Sequence, residues 1–269
     1  MQLNLEGKRA LVTGSTSGIG AAIAEMLAEE GAHVVINGRD RERAGLIAER
    51  LRERGVSAGI ALGDVSTDEG ARQVAGQAVD ALGGIDILVN NAGGTAGTGG
   101  HGDWLEASLA DWQATHDANM MAAVRLCRVL VPAMEERGWG RLIHISSAAG
   151  SEPGTQLHYG ATKAALNNFS LGLSRKLART GITSNVIAPG MIKTPALENW
   201  LRTIAEQNGL GADARRGEAF AVEHHMKQSV ARLGTPEDIA RMVAFLASPS
   251  ADFITGSLFR VDGGAARGL

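Results

Sequence analysis

Short apolar runs at 9–12, 33–36, 58–62, 85–89, 141–145, 183–187 and 258–261 alternate with longer segments of helical periodicity along almost the whole chain. Few folds accept that rhythm. A strand followed by a helix returns the chain to the same end of the sheet, so the next strand pairs in parallel. Several of the runs are continuously apolar, as strands covered on both faces must be. Helical patterns fall at 19–30, 41–54 and 112–136, and Pro132 is expected to kink or end the last. With right-handed crossovers the result is an α/β, doubly wound parallel sheet with helices on both faces. Its ligand crevice lies at the carboxyl ends of the strands.

The 269 residues show no linker and no internal repeat, so residues 1–269 are read as a single domain. Glycine is abundant (36 residues) and aromatics are scarce, which suits a tightly packed aliphatic core with many turns. A formal charge of −3 without a basic cluster gives no footprint for nucleic acid. The start of the chain is polar (Gln2, Asn4, Glu6), and no apolar run is long enough to cross a bilayer. With Cys127 as the only cysteine no internal disulfide can form, and a cytoplasmic protein without membrane partners is expected. Cys127 itself reads as a small helix-core residue. His101, His224 and His225 lack partners at ligand spacing, so no metal site is expected.

Two stretches break the alternation. Residues 93–102 are too glycine-rich for a strand or helix. Residues 195–233 carry an apolar stripe at Leu197, Trp200, Leu201 and Ile204 before glycines interrupt it. Both follow strand ends on the ligand side, where loops meet substrate. The second is read as a substrate lid, with Trp200, Leu201, Phe220 and Met226 as apolar contacts; permanent packing would leave the same pattern.

Thr13-Gly14-Ser15-Thr16-Ser17-Gly18-Ile19-Gly20 follows the first strand and opens a helix. Glycines there permit a tight turn and close approach of a pyrophosphate, and the helix N-terminus supplies oriented N–H groups. The motif marks the sheet as Rossmann-type, with Gly14, Ser15, Ser17, Gly18, Ile19 and Gly20 as candidate cofactor contacts. The second strand ends in Asn37-Gly38-Arg39, without the acid that would hold the two ribose hydroxyls of NAD. Arg39 instead offers a planar fork for a 2′-phosphate, which points to NADP(H), with NAD possible. Ser17 adds no second positive charge, and Asp40 falls where the next helix needs an N-cap.

Tyr159, the sole tyrosine, and Lys163 are four apart on a predicted helix and share a face. A phenol titrates near 10, and a neighbouring ammonium is expected to lower that value. The pair then serves carbonyl reduction, in which a hydroxyl must protonate the developing alkoxide.

TGxxxGIG at 13–20, Asp64, Asn90-Asn91-Ala92-Gly93, Asn119, Ser147, Tyr159-Gly-Ala-Thr-Lys163, Pro189-Gly190 through Thr194 and Val261-Asp262-Gly263-Gly264 occur in order over nearly the whole chain. In order and spacing they resemble the short-chain dehydrogenase/reductase family. That resemblance implies an NAD(P)-dependent oxidoreductase acting on a ketone or secondary alcohol. It places Asp64 and Val65 beside the adenine, and Asn91, Ala92 and Gly93 along the cofactor. Ser147 would orient the substrate oxygen, and Lys163 would hold the nicotinamide ribose and tune Tyr159. Asn119 would anchor a water that relays protons to Lys163. Pro189, Gly190, Met191 and Ile192 would meet the carboxamide, and Thr194 a phosphate. A homotetramer is implied, with the long helices after the fourth and fifth strands between subunits. Ser147 lies twelve residues before Tyr159, one fewer than is common in the family, and Ser146 would restore the usual count. Ser147 is preferred for its distance from Asn119 and its Ala148-Ala149-Gly150 context.

The apolar stripe suits a lipophilic ketone, and the resemblance to enzymes that reduce ketones, 3-oxoacyl thioesters and steroids implies a lipophilic ketone or 3-oxoacyl-type substrate. The alternatives are an NAD-dependent alcohol or sugar dehydrogenase, or a dinucleotide-sensing protein without chemistry. The intact Asn119, Ser147, Tyr159 and Lys163 set weighs against the last.

Overall fold

A computed structural model describes residues 2–95, 105–152, 154, 156–224 and 228–265. The strands are β1 (Arg9–Val12), β2 (His33–Gly38), β3 (Ala58–Leu62), β4 (Ile87–Asn90), β5 (Gly140–Ile145), β6 (Ile182–Pro189) and β7 (Leu258–Val261). They form one seven-stranded sheet in the order β3-β2-β1-β4-β5-β6-β7, with every pairing parallel. The expected strands therefore all form, with ends moved by a residue or two.

The continuous apolar runs are explained by two cores, one on each face of the sheet. Ala10, Val12, Val34, Ile36, Ile87, Val89, Ile143 and Ile145 point to one face. There they meet the helices α1 (Gly18–Glu29), α2 (Arg41–Glu53) and α9 (Pro236–Ala247). Leu11, Val35, Leu88 and Leu142 point to the other, against α3 (Asp68–Leu82) and α5 (Ala122–Arg137). Alternation by residue along each strand feeds both cores, as the pleat requires. Cys127 lies in the second core, where burial pushes its thiol up to about 12 and leaves it unreactive.

The pattern at 112–136 resolves differently from the expected Pro132 break. Helix α4 (Leu109–His116) runs into one turn of π-helix at Asp117–Met121, and α5 continues from there through Pro132 to Arg137. Pro132 is tolerated because it and Arg128, whose carbonyl it cannot reach, lie on the exposed face of α5. The π turn includes the buried Asn119, and turns of this kind are frequent at functional sites. Arg125 fastens the turn, with Nη2 2.8 Å from Asp117 Oδ1 and Nε on Asp68 of α3.

Residues 157–247 complete the layers with α6 (Leu157–Lys176), α7 (Pro195–Gln207), α8 (Ala214–His224) and α9. Helices α7 and α8 have a small core of their own in Leu201, Ala221 and Leu233. Gly217 permits that packing, because a Cβ there would run into the Leu201 carbonyl. Among the described residues no helix is long and apolar enough to cross a membrane.

The end of the sheet away from the crevice is held by a charged side chain. Arg141, 1% exposed, donates to the carbonyls of Gly140 (2.9 Å), Gly181 (3.2 Å) and Ser248 (3.3 Å). Its guanidinium lies 4.4 Å from the centre of the Trp139 ring. Burial lowers its pKa, opposed by Asp252. Arg141→Ala would strand these buried carbonyls, so urea denaturation should show a loss of about 2–4 kcal/mol with cofactor affinity unchanged. A loss under about 0.5 kcal/mol, the size of an ordinary surface effect, would contradict this account.

Candidate active site

The direction of winding reverses between β1 and β4, and the loops leaving these strands diverge there. Two cavities of about 590 and about 1000 Å³ open at this point. They share Ser17, Asn91, Gly93, Gly94 and Thr95, so they form one groove along the carboxyl ends of the strands.

At the nucleotide end, Gly14 adopts φ +62°, and a Cβ on Gly20 would strike the Gly14 carbonyl. The chain can fold this tightly only with glycine at both places. Helices α2, α3 and α4 are capped by the side chains of Asp40, Thr67 and Ser108. Helix α1 is different: its N-cap Ser17 makes no side-chain cap, and its first turn holds no acid. Gly18, Ile19 and Gly20 line the groove at that bare terminus, which suits an anion. The residues present thus fit a dinucleotide's pyrophosphate. Thr194, the N-cap of α7, also makes no side-chain cap and packs against Gly18.

On the β2 and β3 side the groove is lined by Thr16, Gly38, Arg39, Asp64, Val65 and Ser66. Arg39 is 82% exposed and 3.9 Å from Asp64. The Ser66 N–H and hydroxyl hold the Asp64 carboxyl below the usual range, with Arg39 a smaller contribution. Asp40 is the N-cap of α2, accepting from the N–H groups of Glu42 and Arg43, as its position suggested.

Ser15 departs from its expected place. It is fully buried, donates to Val12 O (2.7 Å) and accepts from Asn37 N (2.9 Å), and its side chain lines neither cavity. Its position in the motif could not reveal this, because only the β1–β2 pairing brings Asn37 onto it. Asn37 was missed as a positioning residue. It accepts from Gly14 N (3.2 Å) and donates to Ala61 O (2.9 Å), tying three strand ends together.

At the other end, Ser147, Tyr159, Lys163, Pro189, Gly190 and Ile192 line the groove with Gln156, Met191, Leu197 and Trp200. Ser147 hydrogen-bonds Tyr159 and accepts from Ala149 N (3.2 Å), while Ser146 donates to Lys163 O (3.3 Å). The strand end thus sends the two serines to different partners. Lys163 Nζ lies 5.5 Å from the centre of the Tyr159 ring and donates to Ile145 O (2.8 Å). Burial pushes Lys163 down to about 8. Tyr159 does not follow the expectation that the ammonium lowers it: burial raises its pKa, with Ser147 acting weakly the other way. Desolvation of the phenolate outweighs the hydrogen bond from Ser147.

Asn119 is 2% exposed and lines neither cavity. Its side chain clamps the loop after β4, donating to Gly94 O (2.8 Å) and Thr115 O (2.7 Å) and accepting from Gly94 N (3.1 Å). Of the glycine-rich stretch at 93–102, residues 96–102 lie outside the described residues. His158 is buried on α6 with its ring 5.8 Å from Trp112. Of the apolar side chains assigned to the lid, Trp200 lines the groove. Leu201 is buried between α7 and α8, Phe220 stacks on His224 at 4.2 Å, and Met226 lies outside the described residues. Helix periodicity marked all of them as apolar and could not tell a groove-facing from a helix-facing side.

Comparison with known proteins agrees with this geometry. Residues 14–266 match the family model described as Enoyl-(Acyl carrier protein) reductase. The chain is 34% identical to the 3-oxoacyl-[acyl-carrier-protein] reductase FabG of Aquifex aeolicus, over 98% of this chain and 99% of that one. The structure of L-sorbose reductase from Gluconobacter frateurii, complexed with NADPH and L-sorbose, superposes with TM-score 0.92 and 38% identity over the whole of both chains. A short chain dehydrogenase from Burkholderia cenocepacia in complex with NADP gives 0.79 and 31%, over 98% of this chain and 99% of that one. The chain belongs to the short-chain dehydrogenase/reductase family of oxidoreductases.

Proposed function

We propose that the protein is an NADPH-dependent carbonyl reductase in which Tyr159 is the general acid. The observation that carries this reading is the meeting of the Ser147 and Tyr159 hydroxyls on the groove wall, one helical turn from Lys163. When bound, NADPH supplies the hydride that adds to the substrate's carbonyl carbon. Ser147 donates to the carbonyl oxygen and orients it. Tyr159 gives up its phenolic proton as negative charge gathers on that oxygen, leaving a secondary alcohol. A raised pKa keeps Tyr159 protonated beforehand, and the Lys163 ammonium offsets the phenolate that forms. The NADP-bound and NADPH-bound relatives, with Arg39 at the adenosine end, support the choice of cofactor.

We read the substrate as a small polyhydroxy ketone. The lipophilic expectation rested partly on Leu201 and Phe220, which lie away from the groove. Gln156, Thr95 and Ser147 remain as polar lining beside the Trp200 indole, which suits a sugar with one apolar face. The likeness to L-sorbose reductase supports the same choice. Steady-state assays with ketohexoses, an acetoacetyl thioester and a bulky aryl ketone test it. Tyr159→Phe should lower kcat on any accepted ketone by about two to four orders of magnitude while NADPH still binds. A variant keeping a tenth of wild-type kcat, to order of magnitude, would refute the acid. A kcat/KM for the thioester or aryl ketone about tenfold above every ketohexose would refute the substrate class.

The buried ammonium has a stability signature. The ordinary lysine value is 10.5 and Lys163 sits at about 8, so the unfolded chain binds the proton more tightly. The cost to folding is absent above pH 10.5, accumulates as pH falls toward 8, and is complete below it. Relative to Lys163→Met, the wild type should lose on the order of 3 kcal/mol of stability across that window. A difference that stays flat in denaturation experiments between the two ends would show that Lys163 is not desolvated.

We also propose a homotetramer. Its support is exposed apolar surface at Leu109 on α4, Val129 on α5, Leu171 on α6, Leu258 on β7 and Phe253 shortly before it. Light scattering at micromolar concentration should give four times the 27.9 kDa chain mass, and a monomer would reject the assembly.

A further inference from the structure

Many anion sites for a phosphate monoester use two cations, because one exposed guanidinium is largely screened by water. In this chain the glycine turn contributes none, since Ser17 stands immediately before Gly18. Arg39 is present, but it is mostly exposed, so water screens much of its charge. By itself it is a weak grip.

The structure brings a second arginine to Ser17 from elsewhere in the sequence. Arg43 stands in the first turn of α2, and its side chain lines the groove together with Ser17, Gly18, Ile19 and Gly20. Arg39 lines the adjoining cavity, which also includes Ser17. The two arginines, four residues apart across the helix cap, therefore line adjoining cavities that meet at Ser17. Asp40 organises the arrangement. One carboxylate oxygen caps α2, and the other lies 3.4 Å from Arg43 Nε, holding the stem and leaving the two terminal nitrogens for an incoming anion.

We propose that Arg43 is a second binding residue for the 2′-phosphate of NADPH, meeting it beside Ser17 together with Arg39. It does from α2 what a basic residue at position 17 would do from the glycine turn. The inference rests on the NADPH reading above and adds the residue that completes the site. Its ligand is a ribose phosphomonoester, and NADH, which lacks that group, is the natural control.

Dissociation constants by isothermal titration of NADPH and NADH, without substrate, test it on the wild type and variants. Arg43→Ala should weaken NADPH about ten- to hundredfold and leave NADH within about threefold. Arg39→Ala should act similarly, and Ser17→Arg placed in the Arg43→Ala background should restore most of the lost NADPH affinity. Arg43 is 69% exposed, and Asp40 would still cap α2, so the variant keeps its fold. A change in NADPH affinity below about threefold, or equal weakening of both cofactors, overturns the role of Arg43. A wild type that binds NADPH no more tightly than NADH overturns the cofactor reading first, before any variant is made.

Discussion

The parallel pairing of β1 with β4 is the contact on which the site depends. Those strands leave the sheet in neighbouring positions but lead into chain that winds opposite ways, so their loops must part. Thr13 and Asn91 keep the parting narrow. Thr13 Oγ1 accepts from the N–H groups of Asn91 (3.0 Å) and Ala92 (2.9 Å), and Asn91 Nδ2 donates to Thr13 O (2.8 Å) and Gly14 O (3.2 Å). Each bond satisfies a backbone group that the strand ends would otherwise expose in a buried place. The glycine turn, the bare end of α1 and the loop clamped by Asn119 all take their positions from this joint.

Electrostatics around Tyr159 and Lys163 is governed by burial more than by pairing. Lys163 and Tyr159 are both taken out of water, which disfavours ammonium and phenolate alike. The wall behind them is polar yet uncharged. His144 Nδ1 lies 3.2 Å from Asn90 Nδ2, its Nε2 lies 3.3 Å from Ser184 Oγ, and Ser184 bonds Ser170 at 2.8 Å. Burial pushes the imidazole down to about 3, with the charge of Lys163 adding to the effect. A neutral His144 keeps a second positive charge away from Lys163 while it satisfies the strand ends. The Lys163 ammonium is thus left without a competing cation next to it.

The residues of the groove come from segments with very different local rules. Gly14 and Gly20 are fixed by a turn too tight for a side chain, and such a constraint is visible in any window that contains it. Tyr159 and Lys163 are fixed by the helical repeat, which is equally local. Asn37, Gln156 and Arg43 carry no such mark. Asn37 reads as a polar strand end, Gln156 as the start of a helix and Arg43 as one of several arginines on α2. Their places in the groove follow from which strand lies beside which, and from the angle at which α2 returns to the sheet.

The sequence by itself determined the doubly wound sheet, the strands that compose it, the phosphate turn and the spacing of the tyrosine–lysine pair. Each of these follows from periodicity or from a backbone conformation set within a few residues. Tertiary structure decided the rest. It turned Ser15 inward and Ser147 outward, replaced the Pro132 break with a π turn at Asn119, and sorted Trp200 from Leu201 and Phe220. It also reversed the expected direction for Tyr159, because desolvation depends on everything packed around a group and spacing records only its neighbours along the chain.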